Sequence, residues 1–338
     1  QVRNPALANK PVVIVMPTVR GGGAIATCNY AARALKIKAG MGLSLAKQLS
    51  SEDTVFINAD KTYYKEISDK IFGIVDFFCD NVEQVSIDEA YLDLTNPQGF
   101  EHAEKVCNKI KAKIKSELSL TCSIGLSTNK LVAKLASNEK KPNGLTKIVA
   151  SQVESFLFKK VIRDISGIGP KYESILNKNK VFSIVELRKV SIQKLVELFG
   201  DVNGNKFYNF ARGIDERKVN SNREKQQLSR MMTLKKDTVD FNEIKDTVDL
   251  LSSLVYNESK KLKKNFRTCS IIIITNKYET ITKSKTLEVN LDVGMLKEIE
   301  YVLLKDFLDE SLQLVKRVGV RVSNFDANYG TQKKLFDF

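Results

Sequence analysis

Two adjacent acids, Asp88 and Glu89, stand inside VEQVSIDEAYLDLT, residues 82–95, a stretch whose other residues carry a strand pattern. Successive side chains of a strand point to opposite faces, so the pair could share a site only if the chain turns there. A tight turn at SIDEA would pair VEQVS with AYLDLT as a hairpin with both carboxylates at its tip. Carboxylates held that close repel and need a cation, and oxygen donors without histidine or cysteine beside them favour Mg²⁺ or Mn²⁺. Taken alone, two such acids are more often solvated turn residues.

A second group of residues suits phosphates. GGGAIATCNYAAR, from residue 21, places glycines ahead of an expected helix, whose N-terminus offers free N–H groups to an anion. Thr27, Tyr30 and Arg33 follow at a spacing of three and would line one face of its first turn. The loop does not fit the P-loop pattern. In KKPNGL, residues 140–145, a Pro-Asn-Gly turn directly after Lys141 would fix that ammonium near a site. ISGIGPKYESIL, residues 165–176, has the apolar-Gly-apolar-Gly shape of a helix-hairpin-helix turn, in which Gly167 and Gly169, beside Lys171, free backbone N–H groups for a DNA phosphate. A degenerate second copy follows in LFGDVNGNKFYNFARGID.

The elements that must position these residues are legible from periodicity. PVVIVM, residues 11–16, reads as a strand, and TCNYAARALKIKAG after the glycine turn as helical. Amphipathic helices are expected over 64–79 and 103–118, with LTCSIGLS as a strand after them. Strands and helices alternate without strict βαβ order, which predicts an α+β domain with a largely antiparallel sheet. From 163 to about 217 short helices dominate, and NSNREKQQ reads as a linker. The order after it is strand, helix 242–263, two strands, helix 292–312 and a final strand, which is the split βαβ arrangement.

The chain has 338 residues, enough for several domains, and a net charge of +14, densest per residue over 151–227. That excess predicts a polyanionic partner, most often nucleic acid. Five cysteines without CxxC spacing and a single histidine, His102, argue against structural zinc, for a reducing compartment, and against a histidine general base. No apolar run approaches the roughly 20 residues of a membrane span. The chain opens on Gln1, so its true N-terminus need not be here.

AIATCNYAARALKIKAGM, VSIDEAYLDLT, SIGLSTNKLVAKLAS with KKPNG, DISGIGP and VKRVGVRVSNF resemble, in order and spacing, the successive motifs of Y-family DNA polymerases of the DNA polymerase IV-like branch. The resemblance spans nearly the whole chain. It implies an α+β, multidomain polymerase: fingers over 1–60, an antiparallel-sheet palm over 61–150, a helix-hairpin-helix thumb over 151–217, a linker over 218–228, a βαββαβ little finger over 229–325 and a tail over 326–338. It also implies error-prone translesion synthesis on primer-template DNA from dNTPs with two Mg²⁺ ions, Mn²⁺ being a possible substitute, by a cytoplasmic monomer. By the same resemblance Asp88 is the second metal-binding aspartate and Glu89 the glutamate near the metal that activates the primer hydroxyl. Thr27, Tyr30, Arg33 and Lys141 match residues that contact the triphosphate, and Gly23 and Ala24 match small residues over the nascent base pair.

Family members open with a strand bearing the first metal-binding aspartate and then an aromatic residue that excludes ribonucleotides, ahead of the Asn-Pro that is Asn4-Pro5 here. This chain begins after that strand, so the chain alone is expected to bind metal poorly. The alternatives are a catalytically inactive DNA-binding accessory protein on the same scaffold and a nucleotide cyclase, which leaves the helix-hairpin-helix unexplained. The terminal TQKKLFDF places Gln332, Leu335 and Phe338 at i, i+3 and i+6, which one 3₁₀-like turn brings to one side. It is similar to the peptide by which replication and repair proteins dock on a sliding clamp.

Overall fold

The computed structural model describes residues 1–221 and 224–326, and the chain divides into two units, residues 3–59 with 224 onward, and residues 60–223. In the first, β1 (Val12–Pro17) pairs antiparallel with β2 (Gly23–Cys28), and these are followed by α1 (Tyr30–Ala34), α2 (Leu43–Gln48) and β3 (Val55–Asn58), which pairs parallel with β1. Val13, Val15, Ile25, Cys28, Ala32, Ile37 and Ala46 form the core beneath this sheet. Two glycines of the β1–β2 turn have backbone reasons. Gly21 sits at φ +76°, and a Cβ on Gly23 would meet Met16 O at 2.7 Å, because Gly23 pairs with Pro17.

The helix expected from Thr27 is therefore shorter and later. AIATC is taken up by the ladder with β1, in which Thr27 pairs with Ile14 and Cys28 with Val13, and the helix runs only from Tyr30 to Ala34. Lys36, at φ 65°, ends it. Tertiary pairing overrides local pattern where β-branched and small residues suit both states.

The second unit opens with α3 (Lys61–Phe78), capped by Asp60, whose side chain accepts the Tyr63 N–H. Next come β4 (Val82–Gln84), β5 (Ala90–Leu92), α4 (Gly99–Leu118), β6 (Ile124–Leu126), α5 (Lys130–Glu139) and β7 (Leu145–Lys147). Here the largely antiparallel sheet expected for this region is, among the described residues, two separate pairs: β4–β5 antiparallel and β6–β7 parallel. Ile74 and Val75 of α3 and Ile110 and Ile114 of α4 form the core beside them, as the helical periodicity predicted.

Short helices follow: α6 (Val153–Leu157), α7 (Pro170–Lys178), α8 (Ile184–Lys189) and α9 (Ile192–Ala211). Their core includes Leu157, Ile165, Leu176, Leu187, Leu195 and Phe207, and Leu131, Val132, Leu135 and Ala136 of α5 belong to the same cluster. So α5 lays its buried face on the helices that follow it.

The first unit resumes with β8 (Gln227–Thr238), α10 (Phe241–Lys261), β9 (Phe266–Thr275), β10 (Thr280–Thr286), α11 (Val293–Glu310) and β11 (Val315–Phe325). This is the βαββαβ order read from the sequence. The four strands lie in the order β10-β9-β11-β8 with every neighbouring pair antiparallel. One face takes α10 and α11 through Val248, Leu251, Val255, Leu304 and Phe307 against Ile271, Ile273, Val318 and Val320. Among the described residues no helix is long and apolar enough to cross a membrane.

Candidate active site

The acid pair sits where the strand argument required. Val82 pairs with Leu92, Glu83 with Tyr91 and Gln84 with Ala90, so β4 and β5 close a hairpin whose loop is residues 85–89. Val85 and Ser86 both donate their N–H to the Glu89 carbonyl, at 2.9 and 3.2 Å, which locks the turn. Ser86 Oγ donates to Asp88 Oδ1 at 2.5 Å and accepts the Asp88 N–H at 3.2 Å, so the hydroxyl aims that carboxylate. Both acids are exposed at the tip. Exposed in this way, they suit a hard divalent cation that completes its shell from water and substrate phosphates. Among the described residues no cluster of three or more His, Cys, Asp or Glu side chains could hold a metal by itself.

Three lysines outside the sequence-based set support this hairpin and its surroundings. Lys130, in the first turn of α5, forms a buried ion pair with Glu83 of β4, and Glu83 Oε2 also accepts the Asn220 N–H at 2.8 Å. Lys134, one helical turn on, pairs with Glu89 itself. Both lie in NKLVAKLAS, and their i, i+4 spacing puts them on one helix face; what the sequence could not show is which acids they meet. A Cβ on Gly125 would stand 1.9 Å from Ala133 O, so only glycine at that point of β6 lets α5 approach as closely as it does.

The third lysine, Lys111 of α4, donates to Cys122 O at 2.6 Å, to Asn143 O at 3.0 Å and to Asn143 Oδ1 at 2.8 Å, and so fastens the Pro-Asn-Gly turn from beneath. Lys141 enters that turn exposed, with no hydrogen bond or ion pair to another described residue. The expectation that this turn fixes the Lys141 ammonium is met for its backbone only.

In the other unit, Thr27, Tyr30 and Arg33 are exposed. Arg33 lies over the Tyr30 ring at 5.0 Å and donates to Cys28 O at 3.3 Å, so these two side chains are together, while Thr27 projects from β2 instead of from a shared helical turn. Asn29 caps α1 by accepting the Ala32 N–H, and the same oxygen accepts the Val12 N–H. The glycines therefore turn a strand and do not open a helix toward an anion. Gly23 is half-buried and Ala24 exposed on β2.

In the Gly-Ile-Gly turn Ile168 is buried, Gly167 sits at φ +103° and Gly169 caps α7 ahead of Pro170. The helical piece before it is a single 3₁₀ turn, Ile162–Asp164. A Cβ on Gly167 would lie 2.9 Å from Lys206 Nζ. Burial, then repulsion from Arg217, hold the Lys206 ammonium below its usual pKa. Lys171 is exposed in the first turn of α7. The degenerate second copy is a pair of helical stretches broken at Gly200, φ 76°, within α9. All five cysteines are free thiols. Gln332, Leu335 and Phe338 lie outside the described residues.

Residues 1–138 match the model of the impB/mucB/samB family, residues 225–335 that of its C-terminal domain, and residues 163–215 that of the DNA polymerase-iota thumb domain. The DNA polymerase IV of Nitrosopumilus maritimus is 35% identical over 337 residues, covering 98% of this chain and 93% of that protein. DNA polymerase IV 1 of Methanosarcina mazei is 33% identical, covering 99% and 94%. Among solved structures, a Y-family polymerase chimera of Dbh and Dpo4 superposes with a TM-score of 0.90 at 28% identity, covering 97% of this chain and 95% of that one. An insertion ternary complex of Dbh DNA polymerase gives 0.69 at the same identity and coverage. With relatives above 30% identity matched almost end to end, the chain belongs to the Y-family of DNA polymerases, in the branch of DNA polymerase IV.

Proposed function

We propose that this translesion DNA-directed DNA polymerase performs its chemistry at the 85–89 hairpin tip, adding dNMP to a primer 3′ end with Asp88 and Glu89 as the metal-holding acids. The observation that carries the reading is the tip itself: two adjacent carboxylates, exposed, one aimed by the Ser86 hydroxyl, on a hairpin anchored from beneath by a buried ion pair. Mg²⁺ or Mn²⁺, when bound, would supply the charge that lets attacking and leaving oxygens approach in line.

The chain's own side chains do the rest. Asp88 and Glu89 would hold the cations, Glu89 being the acid beside the one that activates the primer hydroxyl. Thr27, Tyr30 and Arg33 offer two hydroxyls and a guanidinium to the triphosphate, and Lys141, with no partner among the described residues, offers an ammonium. Gly23 and Ala24 leave room over the nascent base pair, where a damaged template base needs it. Gly167 and Gly169, with Lys171, bind duplex phosphate through backbone N–H groups and charge. The fingers span 1–60, the palm 61–150, the thumb 151–217, the linker 218–228 and the little finger 229–325. Gln332, Leu335 and Phe338 in the 326–338 tail dock on a sliding clamp. The protein works in the cytoplasm.

In primer extension by the protein from its full reading frame, Asp88→Ala and Glu89→Ala are each expected to lose most of the rate while primer-template affinity persists, because phosphate contacts elsewhere hold the DNA. Parental turnover in either variant would remove the acids from the mechanism and favour a role in DNA binding without chemistry.

A further inference from the structure

Helix α5 touches the acid hairpin through two ion pairs of opposite character. Lys130 and Glu83 are 8% and 11% exposed, and Glu83 is held again by the Asn220 N–H, so opening this pair would strand a charge in the interior. Lys134 and Glu89 are 31% and 44% exposed. Water can solvate both ends of that second pair, which therefore separates at little cost. One rung is permanent and the other exchangeable, and the exchangeable one ends on an acid of the site.

We propose that Lys134 is a positioning residue that serves as the counter-ion of Glu89 in the metal-free protein and yields it to the divalent cation, thereby setting the apparent metal affinity of the acid pair. This rests on the reading of Asp88 and Glu89 as the metal-holding acids. While the hairpin is free, one ammonium neutralises one of two neighbouring carboxylates, and the Ser86 hydroxyl at 2.5 Å steadies the other, so repulsion does not splay the tip. A dication must compete with the ammonium for the same carboxylate and is then repelled by it at close range. The ammonium can swing aside only as far as its own side chain allows, because Lys130 and the Gly125 contact fix the helix that carries it.

Mn²⁺ binding, followed by electron paramagnetic resonance on the purified protein with primer-template and no nucleotide, tests this without turnover. Lys134→Met should bind Mn²⁺ about two- to fivefold more tightly than the parent, the range that losing an exposed pair implies. Lys134→Arg should bind it as the parent does. Lys147→Met controls for net charge, since Lys147 has a similarly exposed partner, Glu104, and should leave the affinity unchanged. Glu89→Gln should weaken binding. Equal or weaker binding in Lys134→Met, or the same tightening in Lys147→Met, would overturn the role of Lys134. Undiminished binding in Glu89→Gln would instead overturn the reading of the acid pair.

Discussion

Asp215 Oδ2 accepts the Leu131 backbone N–H at 3.0 Å, so the first turn of α5 is capped by a carboxylate 84 residues further along the chain. The helix's own cap, Asn129, accepts the Val132 N–H and returns its amide to Gly213 O at 2.8 Å. The segment leaving α9 thus lies against the N-terminus of the helix that grips the acid hairpin. Burial pushes the Asp215 carboxyl up, but hydrogen bonds and charge from Arg217, with the Leu131 N–H, outweigh it and hold the pKa below the usual carboxylate range.

Asp215→Ala should therefore destabilise the protein by about 1–3 kcal/mol, the usual cost of a lost cap together with a stranded donor. Asp215→Asn, which keeps an acceptor for Leu131, should recover part of that loss. Urea denaturation measures both, and an alanine variant as stable as the parent would show that the cap is dispensable.

Lys130→Met removes the Lys130 ammonium from the Glu83 carboxylate in a site 11% exposed, and a loss of about 3–5 kcal/mol is expected. Lys130→Met with Glu83→Leu removes both charges and should restore much of the stability, less the bond that the Asn220 N–H gives to Glu83. The same denaturation experiment as a double-mutant cycle separates the two effects, and additive losses would mean that the two residues are not coupled.

A pH dependence is built into the terminal sandwich. Glu300 of α11 is fully buried; desolvation raises its pKa to about 8, against the lowering effect of Ser252. The Ser252 hydroxyl lies within donating reach of both Val248 O, at 2.6 Å, and Glu300 Oε2, and its bond to the carboxylate only partly offsets the burial. Asp249 and Lys297 face it with opposite effects, and Cys269 of β9 feels its charge. An acid whose folded pKa is raised binds its proton more tightly in the native state, so stability is greatest below the unfolded value and falls as pH rises toward 8. Glu300→Gln should flatten that decline and be the more stable form at pH 8, by chemical denaturation at several pH values. Parallel curves for parent and variant would place the dependence elsewhere.

Leu335→Ala with Phe338→Ala should leave extension of short naked primers unchanged and abolish stimulation by a sliding clamp, because tethering raises local concentration without altering the chemistry. Equal stimulation of variant and parent would refute docking through the tail.

Local regularity carried much of this protein in its sequence. Alternation on either side of Asp88 and Glu89 can place both acids in one site only through a turn, and the β4–β5 hairpin has its loop there. Helical spacing in 103–118 and the strand-helix-strand-strand-helix-strand order after residue 226 are likewise properties of single segments, and the elements form where that spacing put them. The residues GGGAIATC mark the limit. Their sequence suits a helix start, and pairing with β1 made them a strand, because a ladder of backbone hydrogen bonds outweighs a weak local preference. What only the tertiary structure decided is which distant charges meet. Lys130 and Lys134 reach glutamates 47 and 45 residues earlier, and Asp215 reaches back to Leu131. Periodicity reports which way a side chain faces along its own element. The partner on the far side is set by how β6, through Gly125, lets α5 come down onto its neighbours, and that is a property of packing between segments.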